Sequence, residues 1–255
     1  MLLLKRLMNY KKNKLHIDKI TVDKIINRFG SPTYCYSYNQ LSKNILKFKK
    51  NFKGLNPLIC FALKANNNSK ILNEISKFGL GADVVSKGEL IAAIKSKIHP
   101  KKIVFSGVGK TYEEIKFAAK KNILLINAES HSEIQTILKV ARKINKSIDI
   151  GLRINPNVDA KTIKEITTGK NSNKFGLSEK QIISLINIYK NSKYLNIKCL
   201  SVHIGSQITS HLPYLKMLKA LQKIIDKSNF SFKYIDLGGG MGINYGKSNS
   251  RLNYK

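Results

Sequence analysis

LICFALKANNNSKILNEISKFGLGADVV, residues 58–85, is the stretch that decides the fold. Its first six residues are apolar without interruption and are bounded by Lys64 and three asparagines, which is how a strand buried on both faces reads. SKILNEISKFG follows, with Ser69 as a candidate N-cap, apolar residues at helical spacing and Gly79 as its stop. ADVV (82–85) is a second buried strand, so the stretch is a strand–helix–strand unit and calls for a parallel sheet.

Outward from it the alternation continues. KIVFSG (102–107), ILLINA (123–128), IDIGLRI (148–154), IKCLSVHIG (197–205) and KYIDLGGG (233–240) are further apolar runs. KGELIAAIKSK, TYEEIKFAAKK, SHSEIQTILKVARKIN, LSEKQIISLINIYKNS and LPYLKMLKALQKIIDK are the helical patterns between them, with Thr111 and Ser178 as candidate N-caps. An open doubly wound sheet and a (β/α)8 barrel both accommodate this order. The barrel is favoured, because the unusual residues cluster just after the strands and no G-x-G-x-x-G follows the first strand. Only seven strands are visible, and GKSNSRLNYK (246–255) is polar, so the expectation is a barrel truncated after its seventh strand. The first 55 residues differ, with a strand expected at 33–38 and a helix from Gln40 to Phe52.

Composition narrows the classes. With 42% hydrophobic residues the 255-residue chain can bury a sizeable core, which excludes a wholly disordered or collagen-like chain. No run of 18 apolar residues occurs and MLLLKRLMNYKK lacks a cleavage site, so neither a membrane span nor a secretory signal is read, and a cytoplasmic protein is expected. The 46 Lys+Arg against 15 Asp+Glu give a net charge of +31, but 41 of the cations are Lys and they are spread through every segment. Specific nucleic-acid recognition would favour Arg gathered in a stripe, so it is not expected. Cys35, Cys60 and Cys199 are odd in number and embedded in apolar runs, and read as buried reduced thiols, with no disulfide framework or metal site.

Several chemistry-bearing residues fall at one end of successive strands. Lys64 closes the first apolar run, where partial desolvation favours a neutral, nucleophilic amine. Gly238, Gly239 and Gly240 follow the seventh strand and read either as a backbone cradle for a phosphate or as a tight turn. His203 ends the sixth strand beside Gly205, Ser206 and Gln207, a pocket rim more than a core position. Asp83 and Glu89 flank the end of the second strand and Arg153 closes the fifth; Glu89 reads equally as a first-turn helix residue balancing the dipole.

These residues resemble the fold-type III pyridoxal phosphate decarboxylases. The shared blocks are FGSPTYCYS (29–37), FALKAN (61–66), GADVVSKGEL (81–90), RINPNVDAKT (153–162), NKFG (173–176), HIGSQI (203–208) and DLGGGMGI (236–243), in the family's order. RINPNVDAKT with HIGSQ resembles the diaminopimelate branch more than the ornithine branch. The resemblance implies an α/β chain with a TIM-like barrel of the alanine racemase type over 39–255, and a segment 1–38 that would join a C-terminal β-domain. It implies pyridoxal 5'-phosphate as cofactor, held by Lys64, with His203 stacked on its ring. Ser206 and Gly238 to Gly240 would bind its phosphate, while Asp83, Glu89 and Arg153 would line the ring and the lysine. The implied reaction is decarboxylation of meso-diaminopimelate to L-lysine by a homodimer.

Two departures from the family pattern bear on this. The usual T-H-P-Y-I-S-T-G is replaced by TIKEITTG (162–169). The E-P-G-R segment and the C-E-S-x-D motif of the β-domain are not in these residues, so the 255 residues alone are expected to be inactive. Decarboxylases of ornithine, arginine or carboxynorspermidine, and a non-catalytic cofactor-binding homologue, are the alternatives.

Overall fold

The computed structural model describes residues 8–159 and 175–243. TIKEITTG (162–169), the last three residues of RINPNVDAKT and the first two of NKFG lie outside the described residues. The chain divides into two compact units, Met1–Pro57 with Ile243–Lys255, and Leu58–Gly242.

In the first unit β1 (Met8–Lys11), β2 (Lys14–Ile17) and β3 (Ile20–Thr21) form an antiparallel meander not foreseen from the sequence. Lys12 and Asn13 between β1 and β2 have φ of 48° and 59°, the left-handed pair by which a two-residue hairpin turn follows the strand twist. Helix α1 (Val22–Phe29) is capped by the Thr21 side chain. The strand expected at 33–38 does not form. Its aromatic residues have strand propensity but no partner strand, and that propensity expresses packing against neighbours more than a backbone preference. Ser37 caps a helix there instead, accepting from the Gln40 N–H at 3.0 Å and donating to Asp18 Oδ1 at 2.7 Å. That cap starts α2 (Tyr38–Asn51) two residues earlier than expected. Cys35 is exposed and Cys60 half-buried, so of the three free thiols only Cys199 is buried as expected.

The second unit alternates strand and helix throughout. Its strands are β4 (Cys60–Ala62), β5 (Gly81–Val84), β6 (Ile103–Phe105), β7 (Leu125–Ala128), β8 (Ile148–Ile154), β9 (Leu195–Val202) and β10 (Tyr234–Asp236). Between them run α3 (Ser69–Lys77), α4 (Lys87–Lys95), α5 (Tyr112–Lys121), α6 (His131–Lys143), α7 (Glu179–Tyr189) and α8 (Leu212–Ser228). Side chains of Ser86, Thr111, Ser130 and Ser178 cap four of these helices; α3 is capped by Asn68, and Ser69 is its first residue.

The strands hydrogen-bond in chain order, β4 through β10, each parallel to the next. A doubly wound sheet reverses order at a switch point. No reversal occurs here, and seven consecutive parallel strands with a helix in every crossover are the curled wall of a (β/α) barrel. β6 and β7 are buried at every residue, as strands covered on both faces must be. Phe105, Ile126, Ile150 and Leu152 from the sheet and Leu72, Leu90, Ile115 and Ile134 from the helices are under 2% exposed, each contributing about 1.5–3 kcal/mol of apolar burial. β4 and β10 are only half-buried and have one strand partner each among the described residues. No helix among the described residues is long and apolar enough to cross a membrane.

Candidate active site

Every residue singled out from the sequence stands at or just beyond the carboxyl end of a strand. Lys64 lies in the single 3-10 turn (Leu63–Ala65) that follows β4 and is exposed. Asp83 is the third residue of β5, and burial pushes its carboxyl up to about 6. A hydrogen bond from Ser106 opposes that rise, Asp236 adds to it, and the charges of Lys64 and Arg153 oppose it, which places these groups within electrostatic reach. Asp83 Oδ1 is buried and has no hydrogen-bond partner among the described residues. Its neighbour Cys60 is pushed up to about 12 by burial and by Asp236 and Asp83, so it is a neutral thiol at physiological pH and not a nucleophile.

His203 stands just past β9. Burial lowers it to about 4, and Arg153 and Lys64 push the same way. Its Nδ1 accepts from the Gly239 N–H at 3.3 Å, so the ring is neutral, oriented, and tied to the glycine segment. Arg153 on β8 is buried, donates from Nη1 to Glu129 Oε1 at 2.7 Å, and lies 5.1 Å from the centre of the Phe175 ring.

The glycine segment is both a turn and a close contact. Gly238 and Gly240 have φ of 65° and 84°. A Cβ on Gly240 would stand 1.8 Å from the Gly205 carbonyl oxygen, and one on Gly238 2.5 Å from that of Val202. The segment is laced to the loop bearing Ser206 by Ile208 N–H to Gly240 O at 2.9 Å and Gly242 N–H to Ile208 O at 2.8 Å. At Gly239 a Cβ would meet nothing within 4 Å, so the segment is open at that residue, while the Gly238 and Gly239 N–H groups are held by Asp236 and His203. Glu89 is in the first turn of α4, where its Oε2 accepts from the Val85 N–H at 2.8 Å; the same carboxylate thus pins the end of β5.

Sequence reasoning missed a polar layer inside the barrel. Asp236 on β10 accepts from Asn127 Nδ2 at 2.9 Å, from Ser201 Oγ at 3.0 Å and from the Gly238 N–H at 2.9 Å, linking β7, β9 and the glycine segment through one carboxylate. It also missed a buried charge cluster beside Arg153. Lys110 Nζ pairs with Glu133 Oε1 at 2.7 Å and donates to the carbonyls of Gly107 and Asn127, while Glu133 Oε2 accepts from the Glu129 N–H at 2.7 Å. The one sequence signal was the repeat of an N-cap serine followed three residues later by Glu in VVSKGE and AESHSE.

Comparison with known proteins gives this geometry a context. Residues 38–255 match the model of the pyridoxal-dependent decarboxylase, pyridoxal binding domain. A diaminopimelate decarboxylase of Helicobacter pylori is 40% identical over 226 residues, covering 88% of this chain and 56% of that protein. The crystal structure of diaminopimelate decarboxylase from Helicobacter pylori complexed with L-lysine superposes with a TM-score of 0.86 at 38% identity, covering 89% of this chain and 59% of that one. That of the M. jannaschii diaminopimelate decarboxylase superposes with a TM-score of 0.89 at 33% identity, covering 97% and 59%. The chain thus spans somewhat more than half the length of these relatives. The residues present fit a phosphate-bearing pyridoxal group: an exposed amine, a neutral ring, a buried guanidinium, a carboxyl oxygen lacking a donor, and an open glycine face meet at one rim.

Proposed function

This chain belongs to the pyridoxal-dependent decarboxylase family, and we propose that it forms the cofactor-binding part of an enzyme that converts meso-diaminopimelate to L-lysine. The single observation that carries the reading is the convergence of Lys64, Asp83, Arg153, His203 and the Gly238–Gly240 segment at the carboxyl ends of strands of one parallel sheet, where (β/α) barrels place their chemistry. The L-lysine bound in the Helicobacter pylori structure is what such a reaction leaves behind, and supports the choice of substrate.

When bound, pyridoxal 5'-phosphate supplies an electron sink for the pair left behind as carbon dioxide departs. The chain's own residues do the rest. Lys64 holds the group through its amine, at the mouth of the barrel where substrate has access. His203, kept neutral by burial, offers the face of a ring without adding positive charge. Ser206 and the Gly238–Gly240 segment, open at Gly239, take the phosphate. Arg153 supplies a fixed cation beside Lys64 and Asp83. Asp83, raised to about 6, is able to hold a proton close to neutral pH. Glu89 lines the same end of β5 from its place on the Val85 N–H. Residues 1–38, whose β1–β3 meander is a sheet of its own, are the segment that would join a β-domain, with 39–255 as the cofactor-binding barrel. The same reading takes the whole enzyme as a cytoplasmic homodimer acting on a free amino acid.

The test is borohydride reduction of the chain with pyridoxal 5'-phosphate, followed by peptide mass mapping. One pyridoxyl group is expected on Lys64, none at that peptide in Lys64→Met, and diaminopimelate but not ornithine should compete with the labelling. Label scattered over surface lysines, unchanged by Lys64→Met, would sink the reading.

A further inference from the structure

The structure assigns to Glu129, a residue outside the cofactor-contacting set, the task of positioning Arg153, and we propose that through it Glu129 governs how tightly the cofactor site holds its ligand. The inference rests on the reading of Arg153 as a site residue. Glu129 and Arg153 stand at the carboxyl ends of neighbouring strands β7 and β8, with side chains 2% and 9% exposed and 2.7 Å apart. Burial at that level removes the competing water, so the carboxylate sets where the guanidinium stands.

Glu129 is itself held. Its backbone N–H donates to Glu133 Oε2 at 2.7 Å, Glu133 Oε1 pairs with Lys110 at 2.7 Å, and Lys110 anchors to the carbonyls of Gly107 after β6 and Asn127 on β7. A lysine that is 1% exposed therefore ties the ends of two consecutive strands, β6 and β7, and, through two glutamates, the guanidinium on the next strand, β8. The guanidinium stands over the Phe175 ring, 5.1 Å from its centre. Glu129 Oε2 is buried and has no hydrogen-bond partner among the described residues, so among them the carboxylate meets Arg153 through one oxygen. The arrangement differs from a capping interaction, because the α6 N-cap is Ser130, whose Oγ accepts from the Glu133 N–H, and it is the Glu133 carboxylate that accepts from the Glu129 N–H, which leaves the Glu129 side chain outside the helix start.

Glu129→Gln keeps an oxygen for Arg153 and removes the charge; Glu129→Asp keeps the charge and withdraws it by one methylene. In the cofactor-free chain, nitrogen-detected NMR of the five arginines should show slow guanidinium rotation at Arg153 and averaging in both variants. With pyridoxal 5'-phosphate, Glu129→Gln should weaken binding roughly tenfold, the scale of one hydrogen bond to a charged group, and Glu129→Asp should act in the same direction. In an Arg153→Gln background the effect of Glu129→Gln should vanish, because its route is gone. Unchanged Arg153 rotation, or losses that multiply independently in the double variant, would overturn the proposal. If Arg153→Gln leaves cofactor affinity untouched while Arg153 rotation responds to Glu129, the assignment of Arg153 to the site fails and the positioning contact itself stands. Should Glu129→Gln fail to fold, the same cycle runs on Glu129→Asp.

Discussion

The middle of the sheet and its two flanks contribute to the site in opposite ways. β6 to β8 are buried throughout or nearly so, and the charges at their ends, Lys110, Glu129, Glu133 and Arg153, are buried and paired at 2.7 Å. β4 and β10 are half-buried, and what they carry is an exposed lysine and a glycine segment with an open face. Charges that must stay in place are built where water is excluded and rearrangement is costly. Groups that must meet a ligand are left where the fold has spent little of its burial. The difference teaches that the fixed, paired charges and the solvent-facing groups are concentrated on different strands of one sheet, with Arg153 on β8 serving both.

The strongest test of that division exchanges one lysine for Met in each region. Lys110→Met strands the buried carboxylate of Glu133 and leaves the carbonyls of Gly107 and Asn127 without their donor, at an expected cost of about 3–5 kcal/mol. Lys64→Met, at an exposed position, should change stability by no more than about 0.5 kcal/mol while abolishing pyridoxyl labelling. Urea denaturation beside the labelling assay reads both, and equal stability losses would break the comparison.

A finer version lies within the flank itself. Gly240→Ala would drive a Cβ into the Gly205 carbonyl at a φ of 84°, costing about 1–3 kcal/mol in backbone strain before the clash is counted. Gly239→Ala meets open space and should cost less than about 1 kcal/mol. Thermal denaturation should separate the two variants, and phosphate or pyridoxal phosphate titration should show the first losing affinity.

A pair of opposing pH slopes tests the buried groups of the site. His203 is lowered to about 4 in the folded chain, so between its unfolded value near 6.5 and 4 the unfolded state binds the extra proton. Its contribution to stability is present above 6.5 and is lost as pH falls through 4. Asp83 is raised to about 6, so the folded state binds the extra proton between 3.8 and 6, and its contribution is present below 3.8 and lost as pH rises through 6. His203→Asn should therefore reduce the loss of stability on acidification, and Asp83→Asn should reduce the loss on the way up. Denaturation curves across pH 4 to 7 check the signs, and slopes that do not move would place both groups in ordinary solvent.

The seven apolar runs all became strands and the six patterns between them all became helices. Strands covered on both faces demand continuous apolar residues, and helices on the outside demand a stripe, so both periodicities are written in the chain. The meander at 8–21 was invisible because a two-sided, partly exposed hairpin asks for no such run, and KLHI has no apolar continuity to betray it. Asp83, Arg153, His203 and the glycines were legible because a charge or a glycine run at the end of an apolar strand is conspicuous. Glu129 and Glu133 were not, since in AESHSE both resemble the acidic first turn of a helix, and one of them serves there. Lys110 was hidden among 41 lysines.

The order of apolar and amphipathic segments thus determined by itself that this chain is a parallel α/β wall with its chemistry at the carboxyl ends of the strands, because burial on two faces leaves no other pattern. Which charges are buried and paired, which glycine face is open, and which carboxylate lacks a donor were decided only when strands distant in sequence came side by side. Pairing and desolvation are properties of neighbours in space: Glu129 and Arg153 are 24 residues apart in the chain and 2.7 Å apart in the fold.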